Sequence, residues 1–129
     1  MFRRKSWNSN TGDAMTANEF RRLALDLPEA VEAEHMNHPD FRVRGKIFAT
    51  LAYPDKSFGM VKLALPDQLQ FTQSDAVAFT PVPGFWDKHG STHVHLKAAK
   101  KKIVQKALLA AWKHAAPGDL RQQTPVQDN

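Results

Sequence analysis

Between residues 41 and 65 three β-rich runs follow one another through links of only a few residues, and that spacing limits the fold more than any other feature of the chain. Parallel strands need a crossover of about a dozen residues, so strands joined this closely run antiparallel. In Phe41-Arg42-Val43-Arg44 apolar and basic residues alternate, which places Arg42 and Arg44 on one face and Phe41 and Val43 on the other. Gly45-Lys46 suits a tight turn with glycine in its first central position. The run from Ile47 to Tyr53 is mostly apolar, and Pro54-Asp55-Lys56-Ser57 is a turn cluster. The third run, Phe58 to Leu65, sets Val61, Leu63 and Leu65 on one face. The three together predict an antiparallel meander.

Helical patterns flank it. Thr16-Ala17-Asn18-Glu19 is a capping box, followed by Phe20, Leu23, Ala24 and Leu27 at helical spacing until Pro28 stops the helix. Pro66 opens a short helix over Asp67 to Gln73 with Leu69 as its main apolar contact. Val77 to Thr80 reads as a fourth strand. After a long loop, Thr92 to Leu96 reads as a fifth, with Val94 and Leu96 inward and His93 and His95 outward. A last helix is predicted from Ala98 to Ala115. Its apolar stripe is Ile103, Val104, Ala107, Leu108, Ala111, Trp112 and Ala115, with Lys102, Lys106 and Lys113 opposite. Antiparallel strands with two amphipathic helices imply a two-layer α+β sandwich in the order α-β(3)-α-β(2)-α. The 129 residues suit one domain, expected over residues 15–118, with a loose basic arm at 1–14 and a polar tail at 119–129.

There is no cysteine, so disulfides and thiolate metal sites are excluded, and a reducing, cytoplasmic setting is expected. No apolar run approaches the roughly 20 residues that cross a bilayer, and no membrane partner is expected. The basic start, Met1 to Trp7, has no apolar segment behind it, unlike a secretory leader. The net charge of +5 is unevenly spread. Asp26, Glu29, Glu32, Glu34 and Asp40 crowd one stretch without Lys or Arg, whereas Lys88 to Gly118 holds seven lysines and no acid. Either the acidic stretch lies beside the basic helix and neutralises it, or the basic helix faces an external anion.

Several stretches carry a family resemblance. The run His38-Pro39-Asp40-Phe41-Arg42-Val43-Arg44-Gly45-Lys46-Ile47-Phe48-Ala49 resembles the MmcQ/YjbR-like family of small bacterial proteins, as do Leu27-Pro28, Trp86-Asp87-Lys88-His89-Gly90 and Val94-His95-Leu96. The likeness covers residues from about Thr16 to Pro117. It implies the element order read above and a DNA-binding role, by analogy with a double-wing mode. The chain departs from the family where members often carry an aromatic residue after the loop glycine. Here Ser91 and Thr92 follow Gly90, which would weaken a binding surface built on that aromatic.

Catalytic motifs are missing. No cysteine, no Gly-x-Ser-x-Gly elbow and no glycine-rich phosphate loop occurs, and the run Glu29, Glu32, Glu34 lacks a partner that would mark an acid/base pair. No catalytic residue is expected, and no cofactor. His93-x-His95 has a spacing metals can use, but no third ligand stands near in sequence; a surface pair without metal is the expectation. His35 and His38 lie beside Glu34 and Asp40, where His38-Pro39 is expected to shape the start of a strand.

Three elements are candidates for nucleic-acid binding. Lys97, Lys100, Lys101 and Lys102 crowd the start of the last helix, where cations oppose the macrodipole and free amides attract anions. Arg42, Arg44 and Lys46 sit on one wing-like hairpin. Phe85 and Trp86 with Lys88 and His89 interleave aromatics and cations, a pattern that stacks bases and meets phosphates. The expectation is a non-enzymatic DNA-binding protein that contacts phosphates through hairpin, loop and helix start. A protein-binding adaptor or chaperone-like module, and a small ligand-binding protein, are the alternatives.

Overall fold

The computed structural model describes residues 15–83 and 89–122. Helix α1 (Ala17–Leu25) opens on the capping box: the Glu19 amide donates to the Thr16 hydroxyl at 3.1 Å, and the Thr16 amide donates to Glu19 Oε1 at 3.0 Å. Strands β1 (Ala30–His35), β2 (His38–Val43), β3 (Lys46–Leu51) and β4 (Phe58–Lys62) follow. Then come α2 (Leu65–Ser74), β5 (Phe79–Pro81), β6 (Ser91–His95), α3 (Lys101–Ala115) and the short α4 (Gly118–Arg121). The six strands form one antiparallel sheet in the order β1-β2-β3-β4-β6-β5. The fold is α+β, as the sequence implies, with an additional edge strand before the meander and a terminal helical turn.

That edge strand, β1, is the acidic stretch itself. Alanine and glutamate are weak strand formers, so its existence rests on tertiary pairing with β2 rather than on propensity. Charged residues on an outer strand also discourage pairing with other chains. The β2–β3 turn differs from expectation by one residue. Its central pair is Arg44-Gly45, with φ of 50° and 84°, so glycine takes the second central position and Arg44 lies in the turn rather than beside Arg42 on a strand face. Both φ values are positive, as in the type I′ turn whose twist matches that of the flanking strands. Leu65 belongs to the first turn of α2 and is exposed, not the end of a strand. Leu69 is exposed as well, and the polar Gln68 faces inward instead. Its amide donates to the Ser91 carbonyl and the Thr92 hydroxyl, both at 3.1 Å, which fastens α2 to β6.

One face of the sheet carries the core. Phe41, Val43, Ala49, Leu51, Val61, Phe79 and Val94 are buried there, with α1 and α3 over the β3 side and Phe71 of α2 against Phe79 of β5. The stripe foreseen on the last helix is buried or half-buried throughout, with Trp112 fully enclosed. Its indole Nε1 donates to the Pro28 carbonyl at 2.9 Å and ties the end of α3 to the link between α1 and β1. Phe20 of α1 lies directly over Gly59 of β4, where an added Cβ would stand 2.8 Å from the ring. Leu120 of α4 is also buried, so the packed body runs past residue 118.

Gly90 and Gly45 separate two costs of an added methyl. Both have positive φ, but at Gly90 a Cβ would fall on the Leu63 carbonyl oxygen, whereas at Gly45 it meets open space. Gly45→Ala should cost roughly 1–2 kcal/mol from the left-handed backbone alone. Gly90→Ala should cost about 1–3 kcal/mol more from the clash. Urea midpoints measure both, and equal losses would mean that the chain enters β6 by another path. Thr16→Ala should cost roughly 0.5–2 kcal/mol by the same measurement, through the lost cap.

Candidate functional site

Three acids of the acidic stretch, Glu29, Glu32 and Asp40, pair with arginines, and none pairs with a lysine of α3 among the described residues. Arg21 Nε meets Glu32 at 3.0 Å. Arg42 grips Asp40 through two hydrogen bonds of 2.8 and 3.1 Å, and Arg44 grips Glu29 through two of 2.6 and 3.0 Å. Such paired contacts match the planar guanidinium to a carboxylate. The hydrogen bond from Arg44 holds the Glu29 carboxyl below its ordinary pKa, and the bond to Asp40 raises that of Arg42. Two of the three predicted hairpin cations are therefore engaged. Lys46, exposed at the start of β3, enters no ion pair among the described residues.

At the start of α3, Lys97, Lys100, Lys101 and Lys102 are all exposed. Lys100 is the N-cap, no side chain caps the helix, and its first turn holds no acid. None of these lysines enters an ion pair among the described residues. Asp55, on the neighbouring β3–β4 loop, is held by the amide and hydroxyl of Ser57.

Hairpin and helix start are not brought together. Residues preceding α3 bond back to the far end of the sheet, Leu96 to Ser57 and Ala98 to His95, whereas the end of α3 reaches Pro28 through Trp112. Ala30, two residues on from Pro28, pairs with Val43 beside the hairpin turn. The 15 residues of α3, roughly 22 Å, separate the two groups. His89 is exposed, and it precedes β6 at the hairpin end of the sheet. Trp86 and Lys88 lie outside the described residues. Ser91 and Thr92, where the resemblance implied a weakened binding surface, are buried, and the Thr92 hydroxyl donates to the Gly90 carbonyl at 3.0 Å.

The other face of the sheet carries no helix of the core layer. Register places Ala33, Asp40, Thr50, Met60, His93 and Thr80 in one row across all six strands. His93 and His95 share this face, as their spacing implied, but they are not equivalent. His95 Nε2 lies 3.0 Å from the Thr80 hydroxyl, whereas Nδ1 of His93 is buried without a partner. His38 likewise has a buried, unpartnered Nδ1, and its ring meets Tyr53 edge-on at 5.3 Å. Among the described residues no group of three or more His, Cys, Asp or Glu is placed to hold a metal ion. Sequence reasoning missed Asp40 as the partner of Arg42, although residues two apart on a strand share a face. It also missed Thr50, Met60 and Lys62, which only the strand register gathers.

An antiparallel sheet with helices on one face and a histidine-bearing open face on the other defines a small α+β domain. The YjbR family model matches residues 25–114, and the chain belongs to the YjbR family. Among solved structures, the Deinococcus radiodurans protein DR2400, which carries a DUF419 domain, superposes with a TM-score of 0.68. It is 14% identical, and the alignment covers 85% of this chain and 88% of that one, a likeness that shows the fold. No curated protein matches the sequence. Among the described residues no helix is long and apolar enough to cross a membrane.

Burial, and next the charge of His95, hold the His93 imidazole below its ordinary pKa. The unfolded chain therefore takes up this proton first as the pH falls, and the stability His93 contributes is present above about pH 6.5 and lost below it. Urea midpoints should fall between pH 7.5 and 5, and His93→Asn should flatten that fall. An equal pH slope in the variant would free His93 of the effect.

Proposed function

We propose that this YjbR-family domain is a non-enzymatic DNA-binding protein that acts through the lysines at the start of α3. The observation that supports it is the division of cations. Arginines pair with Glu29, Glu32 and Asp40 of the acidic stretch, while Lys97, Lys100, Lys101 and Lys102 gather without an ion-pair partner among the described residues at a helix end whose amides favour an anion. Of the two explanations for the segregated charge, this arrangement favours an external anion. The wing-like hairpin enters the reading only through Lys46, because Arg42 and Arg44 would have to leave their carboxylates to reach phosphate. Contacts of this kind position a protein on DNA without reading bases, so little sequence preference is expected. A cytoplasmic setting accords with the lack of cysteine.

A second reading, a protein-binding adaptor, draws on α2. Leu65 and Leu69, one helical turn apart, are 54% and 57% exposed, and Val77 beyond them is 72% exposed.

Salt titration with duplex DNA tests the first reading. Four lysines on about four phosphates give a slope of log K against log salt near −3.6, so raising salt from about 50 to about 200 mM should weaken binding on the order of 150-fold. Lys100→Glu with Lys101→Glu should bring the slope to about −1.8 and weaken binding to all sequences alike. Stability should hold or rise, since carboxylates suit a helix N-terminus better than lysines do. Equal affinity of wild type and double variant at low salt would remove the helix start from the interface. No binding by the wild type at low salt would reject the DNA reading and leave the α2 surface in front.

A further inference from the structure

The face of the sheet opposite α1 and α3 holds a cleft of about 460 Å³, within the range of small-molecule sites. Its floor follows the row of Asp40, Thr50, Met60 and His93, and Met36 and Val82 stand among its lining residues. The lining is unevenly composed along the strands. Toward the end where β1 turns into β2 it is apolar and aromatic, with Met36, Tyr53 and the edge-on ring of His38. Toward the opposite end stands Lys62, cross-strand from Ser91.

The charges of this cleft decide what it can accept. Asp40 is 1% exposed and would repel an anion if left alone, but both of its oxygens accept hydrogen bonds from Arg42. Lys62 enters no ion pair among the described residues. The balance is one unmatched cation beside an apolar surface. That suits one negative group and not a polyanion, which would require a row of cations. His38 and His93 add orientation. With Nδ1 buried in each, Nε2 is the ring nitrogen left to meet a ligand.

We propose that the open face of the sheet binds a small amphipathic anion, its apolar body against Met60, Tyr53 and Met36 and its charged group at Lys62. The site is separate from the lysines of α3, which lie in the layer covering the other face. Nothing in the proposal requires that DNA be bound.

Two dyes test it: 1-anilinonaphthalene-8-sulfonate and N-phenyl-1-naphthylamine, the same ring system without the sulfonate. The anionic dye should bind the wild-type protein and shift the amide resonances of Thr50, Met60 and His93. Lys62→Met should weaken it about tenfold, the worth of one charge-assisted contact, and leave the uncharged dye unaffected. Lys100→Glu with Lys101→Glu should leave both affinities unchanged, which separates this site from the DNA surface. The proposal is overturned if the anionic dye does not bind or if Lys62→Met leaves its affinity intact. It is equally overturned if the shifts fall on Leu65 and Leu69 of α2 or on the start of α3. The resonance map uses only the wild-type chain, so it decides the matter even if Lys62→Met fails to fold.

Discussion

Phe20 can lie against the sheet only because β4 offers it Gly59. Any side chain at that position would enter the ring, with a Cβ already 2.8 Å away. The contact brings the axis of α1 close to the strands and sets Phe20 at 6.2 Å from Phe41 of β2. It also leaves room beside α1 for α3, whose Trp112 closes the far side by bonding to Pro28. The two major helices thus share one face and one core. That one-sidedness leaves the row from Asp40 to His93 without a helical cover. It also fixes which end of α3 meets which end of the sheet.

Electrostatics then sorts the two cation types. Arginine pairs with a carboxylate through two parallel hydrogen bonds, and it does so at Asp40 and Glu29. These pairs serve the fold: one neutralises a buried carboxylate on the open face, and the other joins the residue before β1 to the β2–β3 turn. The lysines of α3 are point charges on flexible stems with no such partners among the described residues. Their first turn pays against the helix dipole, roughly 0.3–1 kcal/mol for each exposed cation, a cost that an external anion would reverse.

Much of this was legible in the sequence, and the failures have physical causes. Both major helices could be placed because a capping box and a long apolar stripe are local signals. The buried face of α3 is the one its periodicity marks. Strand β1 was not legible, since Val31 is the one strong strand former in Ala-Val-Glu-Ala-Glu-His and the segment forms by pairing with β2. The hairpin register slipped by one because glycine fits either central position of such a turn, and only the pairing of Val43 with Lys46 decides between them. Polarity marks Leu69 for the core, but Gln68 takes the inward position because its amide donates to Ser91 and Thr92 of β6. The open face was the least legible part. Its residues come from different strands, and their alignment is a property of register rather than of spacing along the chain.

Asp40 joins the two halves of this picture. A carboxylate 1% exposed on a sheet face without helices must be matched within its own surroundings. Arg42, two residues on, lies on the same side of β2 and matches it, while its own side chain stays 32% exposed. That pairing withdraws Arg42 from the wing-like hairpin and at the same time removes the negative charge that would oppose an anion over Met60. The same two hydrogen bonds therefore weaken the phosphate surface foreseen at the hairpin and leave Lys62 to set the field of the cleft. Which surfaces are open to anions is decided less by how many basic residues the chain has than by which carboxylates the fold has already placed against them.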